Sequence, residues 1–174
     1  MSRQMRGLVE SLLDLARLDQ GRQAPEHSPV ELSKLVSDAV LPFEALFFEK
    51  ELTLETEIAP DLTVYGSAAQ LRQVVEILLD NAQKYADAPG TVRVTLARQG
   101  HHARLCVADT GKPMSPEDCK NIFKRFYRLD ESRCRDGSFG LGLSIAQAIM
   151  AAHHGKIWCE SKSGVNAFFA ELPL

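Results

Sequence analysis

Along residues 2–19, Met5, Leu8, Leu12 and Leu15 recur at three- and four-residue intervals, and Val9, Leu13 and Ala16 widen the stripe. That period predicts an amphipathic helix, closed by Gly21 and followed by a polar, proline-bearing stretch at 23–29. So broad a stripe needs a partner, which is either the chain's own domain or a second strand of a helical bundle. Beyond the linker the pattern switches repeatedly between periods. Residues 30–32 read as a short strand, and 32–49 as a helix that Pro42 can kink. Leu52, Leu54, Thr56 and Ile58 alternate as a strand does, and Pro60 and Asp61 turn the chain. Ser67 is a good N-cap for a long helix over 68–85, with Leu71, Val74, Val75, Leu78 and Leu79 facing inward. Two strands over 91–98 and 103–109 form a hairpin through Gly100. Residues 111–138 are polar and glycine-containing, with short helical pieces. A helix over 141–153 and strands over 156–161 and 167–172 complete the pattern. Helices lying on a hairpin-rich sheet predict an α+β fold, a two-layer α/β sandwich with a mixed sheet under about three helices.

Composition narrows the picture. The 174 residues are 45% hydrophobic and 25% charged, which suits one ordinary domain with a short appendage. Twenty Lys and Arg against 23 Asp and Glu leave a formal charge of −3, which disfavours nucleic acid as a partner. No apolar run approaches the roughly 20 residues of a membrane span, so no membrane contact is expected of this chain. Cys106, Cys119, Cys134 and Cys159 lack any CxxC spacing and read as reduced thiols of a cytosolic protein. Cys134, between Arg133 and Arg135, is the one placed to favour a thiolate.

Candidate chemistry sits in four segments. On the helix over 68–85, Asn81, Lys84 and Tyr85 are spaced to share a face. An amide oxygen suits Mg²⁺, an ammonium suits phosphate and an aromatic ring can flank a base. Asp109 ends a strand just before Gly111, where a carboxylate can accept from an exocyclic amine while the chain passes close to a ligand. Phe123 and Phe126 can anchor the polar segment that carries Arg125, Arg128, Arg133 and Arg135, cations suited to phosphate oxygens. Finally, Gly137, Gly140 and Gly142 crowd the start of a helix, where backbone N–H groups can meet an anion. Neither a GK[ST] ending nor a βαβ frame is present, which excludes a Walker loop and a dinucleotide fingerprint.

In order and spacing these segments resemble the N, G1, F and G2 boxes of the catalytic ATP-binding domain of bacterial sensor histidine kinases. That domain shares its fold with gyrase, the heat-shock ATPase chaperones and the mismatch-repair ATPases. The resemblance runs over residues 30–174. Residues 1–21 resemble the end of the second dimerisation helix, and 22–29 the linker between the two. The resemblance implies ATP and Mg²⁺ as cofactors, with Asn81 on the metal, Lys84 on phosphate, Tyr85 beside adenine, Asp109 on its amino group and Gly111 passing the base. Arg125 and Arg128 would reach the phosphates, and Gly140, Leu141, Gly142 and Leu143 would cradle them under a lid over 111–138 that nucleotide orders. The implied activity is transfer of the γ-phosphoryl group to a histidine, then to an aspartate of a response-regulator receiver domain. It also implies a homodimer through the dimerisation helices of a longer parent, with this domain in the cytoplasm and the parent anchored in the bacterial inner membrane.

Against the family pattern, Pro113 stands where a second glycine is usual, Ile77 replaces an upstream Asn, and the hairpin around Gly164, Val165, Asn166 and Ala167 is a residue short. None of His27, His101, His102, His153 and His154 has the context of the family's phosphoacceptor. His153 and His154 read as a helix end with Gly155 at the C′ position, and the histidine pairs lack the HExxH spacing of a zinc site. The chain is therefore expected not to autophosphorylate alone. Two other readings are a nucleotide-independent module that docks a regulator or partner helix, and an anti-sigma-type serine kinase of the same superfamily.

Overall fold

A computed structural model describes residues 3–20, 27–127 and 140–174. Among them the order is α1 (Arg3–Gln20), β1 (Ser28–Glu31), α2 (Leu32–Glu49), β2 (Leu52–Ile58), β3 (Thr63–Gly66), α3 (Ala68–Tyr85), β4 (Gly90–Gln99), β5 (His102–Thr110), α4 (Pro116–Asn121), α5 (Gly142–Ala152), β6 (Lys156–Lys162) and β7 (Val165–Pro173). Five strands form one sheet in the order β2-β4-β5-β7-β6, and β1 pairs with β3 in a separate antiparallel ribbon. β2 lies parallel to β4 and every other pairing in the large sheet is antiparallel, so the sheet is mixed as expected. A parallel pair demands a crossover, and α3 supplies it between β2 and β4.

Alternation decides which face of the sheet is covered. Val92, Val94 and Leu96 of β4, Leu105 and Val107 of β5, and Phe168, Ala170 and Leu172 of β7 are buried. They lie under α2, α3 and α5, with α3 central. Leu78 and Leu79 of α3 are fully buried, and truncating either would leave a cavity in the core. On the opposite face Arg104 pairs with Glu171 at 2.8 Å and lies over the stacked rings of Trp158 and Phe169.

The strand Thr63–Gly66 is not expected from the sequence. Its four residues alternate in burial, with Val64 and Gly66 inside, too short a run to stand out by period. α2 continues through Pro42 to Glu49. The end of α5 also differs from expectation. His154, at φ 59°, takes the left-handed position after the helix, and Gly155 answers a different need. A Cβ at Gly155 would lie 2.5 Å from the Glu171 carbonyl oxygen, so glycine there permits close approach to β7.

α1 lies against α5. Its Leu15 is buried and Leu8 packs on the core, while Met5, Val9, Leu12 and Leu13 stay exposed. The stripe read from the sequence is thus split between the chain's own domain and an open face. No helix among the described residues is long and apolar enough to cross a membrane.

Candidate functional site

The inward row of the sheet changes character at one end. Register places Val92 beside Asp109 and Asp109 beside Asn166, so a carboxylate and an amide continue the phase of the buried apolar residues of β5 and β7. Asp109 is 2% exposed, and its Oδ1 has no hydrogen-bond partner among the described residues. Burial, reinforced by the nearby Asp87, pushes its carboxyl up to about 7 against the opposing pull of the Asn166 amide. A buried polar atom left without a partner costs roughly 1–3 kcal/mol, so this oxygen marks a place where a donor from outside belongs.

Asn81 and Tyr85, one turn apart on α3, meet Asp109 at a cavity of about 210 Å³. Lys112, Pro113, Met114, Asp118, Ile122, Asn166 and Phe168 complete its wall. α3 reaches this point because Ser67 caps its start, accepting from the Gln70 N–H at 3.3 Å, and six apolar residues hold its inner face. The distal ends of α3 and α5 are joined by one ring. His153, 4% exposed, accepts at Nε2 from the Ser67 N–H at 3.1 Å and its Nδ1 lies 2.8 Å from the Ile149 carbonyl oxygen. His27 stacks on it with centroids 4.8 Å apart.

Gly111 sits in tight contact. A Cβ there would stand 3.2 Å from both Asp109 Oδ1 and Asn166 Nδ2 and 3.3 Å from the Tyr85 carbonyl oxygen. The cradle and the buried Asp109 carboxyl fit a planar base with an exocyclic amine, and the Asn81 amide is a hard oxygen donor suited to Mg²⁺. The nucleotide–metal pair expected from the sequence is compatible with these residues.

The remaining expected residues are placed as follows. Lys84 forms an ion pair with Asp80 at 2.8 Å and does not line the cavity. Arg125 is exposed and also lies off the cavity wall. Gly140 has φ 71°, and its carbonyl oxygen accepts from the Phe126 N–H at 3.0 Å. Leu141 and Leu143 bury their side chains, so only their backbone, with that of Gly142, is open to a ligand role at the start of α5. Ile77 lies close to this turn: a Cβ added at Gly142 would stand 3.4 Å from its methyl carbon. Arg128, Arg133, Arg135, Cys134, Gly137, Ser138 and Phe139 lie outside the described residues, as does that part of the expected lid.

One expected anchor is corrected. Phe126 is 57% exposed at φ 65°, a left-handed backbone that turns its ring outward. Phe123, buried against Phe168, and Tyr127, whose hydroxyl donates to Asp118 Oδ1 at 2.9 Å, hold the segment instead. Asn166 is the site residue that sequence reasoning missed. On β6, burial and then a hydrogen bond with Cys119 push the Cys159 thiol up, so it stays protonated.

Comparison with known proteins gives this geometry a family. Residues 66–174 match the family model of the histidine kinase-, DNA gyrase B- and HSP90-like ATPases. The sensor protein DltS of Streptococcus agalactiae is 32% identical over 173 residues, 99% of this chain and 44% of that protein. The nucleotide-free catalytic domain of histidine kinase ThkA aligns at a TM-score of 0.76 with 26% identity, covering 86% of this chain and 96% of that one. Full-length ShkA, in a complex with AMPPNP, gives 0.82 with 28% identity, covering 96% of this chain and 35% of that one. The chain spans less than half the length of the curated relatives it matches. With α2, α3 and α5 on one face of a mixed sheet, and Asn81, Tyr85 and Asp109 at one cavity, the chain belongs to the histidine kinase-, DNA gyrase B- and HSP90-like ATPase family, as a catalytic domain of the sensor histidine kinase type.

Proposed function

We propose that this chain binds ATP with Mg²⁺ and is the catalytic core of a sensor histidine kinase. The parent would transfer phosphate to a histidine of its dimerisation hairpin and onward to an aspartate of a response-regulator receiver domain. The observation that carries the reading is the buried, partnerless Oδ1 of Asp109, set beside Asn81, Tyr85 and the Gly111 cradle. ATP supplies the phosphoryl group, and Mg²⁺ offsets the charge of the phosphates. Asp109 accepts from the exocyclic amine of the base, Tyr85 flanks the ring, and Gly111 lets the chain pass beside it. Asn81 offers its amide oxygen to the metal. Lys84 exchanges Asp80 for phosphate, and the backbone of 140–143 meets the phosphates at the start of α5. Arg125 and Arg128 would supply cations to the phosphates. That the similar protein ShkA forms a complex with AMPPNP supports a nucleotide ligand for this chain.

The exposed stripe of Met5, Val9, Leu12 and Leu13 supports reading residues 1–21 as the end of a dimerisation helix and 22–29 as a linker to the ATP-binding domain at 30–174. The parent is then a homodimer anchored in the bacterial inner membrane with this domain in the cytoplasm. Buried and clamped, His153 is no phosphoacceptor, and the chain alone is expected to take no label from γ-labelled ATP. Supplying the dimerisation hairpin of the same kinase should restore transfer.

Calorimetry tests the binding step directly. Mg²⁺–ADP should bind the wild type, chelation of the metal should weaken it, and Asn81→Ala should weaken it at least about tenfold, as expected for loss of a hard oxygen ligand. A wild type that binds no nucleotide at millimolar Mg²⁺ overturns the reading.

A further inference from the structure

The loop over 111–114 contains a proline and is fastened on both sides of it to the β6–β7 hairpin. The Gly111 N–H donates to the Gly164 carbonyl oxygen at 3.1 Å. Asn166 Nδ2 donates to the Lys112 carbonyl oxygen at 2.9 Å, and the Met114 N–H donates to Ser161 Oγ at 2.9 Å. Ser161 Oγ in turn donates to Asn166 Oδ1 at 2.6 Å, which ties the two side chains into one clamp. Pro113 has no N–H of its own, so these bonds carry the loop's register. Pro113 thus lies between residues that are hydrogen-bonded to the β6–β7 hairpin.

We propose that Asn166 is a positioning residue for base recognition, holding the 111–114 loop through Lys112 and Ser161 and setting the Asp109 carboxyl at the cavity wall. The inference rests on the nucleotide reading above. Asn166 is buried and lies directly opposite Asp109 across β5 and β7, where facing side chains are neighbours. Its amide cannot flip without losing the Lys112 bond and setting Oδ1 against that carbonyl oxygen, so Nδ2 stays on the side of Asp109 and Gly111. There it favours the ionised carboxylate, against burial and Asp87. Among the described residues, the other titratable groups around Asp109 are Cys159 on β6 and Lys112, Asp118 and Tyr85 on the cavity wall. A loop ordered before binding loses less entropy when the base arrives.

The test is Mg²⁺–ADP calorimetry on the 174-residue chain between pH 6 and 8.5, for wild type, Asn166→Ala and Ser161→Ala. Asn166→Ala should weaken binding about tenfold at pH 8 and raise the midpoint of the pH profile by about one unit, since it removes the group that favours ionised Asp109. Ser161→Ala frees Met114 but leaves an amide beside Asp109, so affinity should fall by roughly threefold with the midpoint in place. The inference fails if wild type binds and Asn166→Ala changes neither affinity nor midpoint. It fails equally if Ser161→Ala moves the midpoint as far, which would mean general loosening. Should Asn166→Ala not fold, Asn166→Ser keeps a donor near Asp109 but cannot reach Lys112. It should then lose affinity at an unchanged midpoint, and a midpoint raised as in a full loss of the amide would overturn the proposal. A wild type that binds no Mg²⁺–ADP at any pH is instead a failure of the nucleotide reading itself.

Discussion

Replacing Asp109 by Asn separates what the carboxylate does for a ligand from what it does to the fold. In the folded chain the group is pushed from an ordinary 3.8 to about 7, chiefly by burial, with Asp87 adding and Asn166 opposing. A raised carboxylate contributes stability that is fully present below the unfolded value and is lost as pH rises through the folded one. Between 3.8 and 7 the loss amounts to about 4 kcal/mol, an upper bound at roughly 1.4 kcal/mol per unit. Asn cannot ionise, but it leaves a buried amide short of partners, which takes back about 1–3 kcal/mol. The variant should therefore exceed wild type by about 1–3 kcal/mol at pH 8, or roughly 2–10 °C in Tm for a chain of this size. At pH 4.5 wild type has lost only about 1 kcal/mol, so the gain should vanish or reverse by up to about 2 kcal/mol, and Mg²⁺–ADP binding should be lost at every pH. Urea denaturation at pH 4.5, 6 and 8 measures this directly. A variant no more stable than wild type at pH 8, or a gain that does not depend on pH, refutes the account. The same ionisation predicts that wild type binds Mg²⁺–ADP about tenfold more weakly at pH 6 than at pH 8, if only the carboxylate accepts from the base.

Two further outcomes follow from contacts around the site. Gly111→Ala places a methyl 3.2–3.3 Å from three polar atoms, two of which, Asn166 Nδ2 and the Tyr85 carbonyl oxygen, are fixed by a hydrogen bond and by the main chain, so binding should weaken about tenfold with a stability loss of roughly 1–2 kcal/mol, read by calorimetry and thermal melts. His153 is held below its ordinary 6.5, first by burial and then by His27 and His154, against the pull of the Ile149 carbonyl. The stability it contributes is present above 6.5 and is lost as pH falls through its lowered folded value. This slope opposes that of Asp109, so His153→Ala, which also leaves the Ser67 N–H without its ring acceptor, should lower stability by about 2–3 kcal/mol at pH 7 and by less at pH 5. A constant deficit across that range would show that proton binding at His153 is not linked to folding.

Much of the fold was legible because long elements announce their period. α3 carries six buried apolar residues at helical spacing behind a Ser cap, and β5 alternates over its full length. The ribbon of β1 and β3 was half hidden, since Val64 and its neighbours span only four residues and acquire meaning through pairing with Pro29 and Val30. The α5 terminus misled for a related reason. Glycine next to a helix end suggests a left-handed turn, but the approach of β7 decides what Gly155 is for, and His154 takes the strained angle. Phe126 was misread because spacing alone cannot reveal that its backbone turns left-handed and carries the ring outward.

For the site, the difference between what was seen and what was missed lies in strand register. Asn81, Lys84 and Tyr85 share one helix, where sequence spacing is spatial spacing, and Asp109 keeps the buried phase of Leu105 and Val107, so its burial could be read from the alternation of β5. Asn166 keeps the same phase with Phe168 and Ala170, and the sign was there for a strand taken to start at Val165. A strand begun at residue 167 leaves Asn166 in a turn and hides both its pairing with Asp109 and its reach to Lys112, 54 residues earlier. Helical motifs carry their geometry with them; cross-strand constellations need the register first. That is why Pro113 looked like a loss in the sequence and is, in the folded chain, bracketed by two hydrogen-bonded neighbours whose partners lie on the last hairpin.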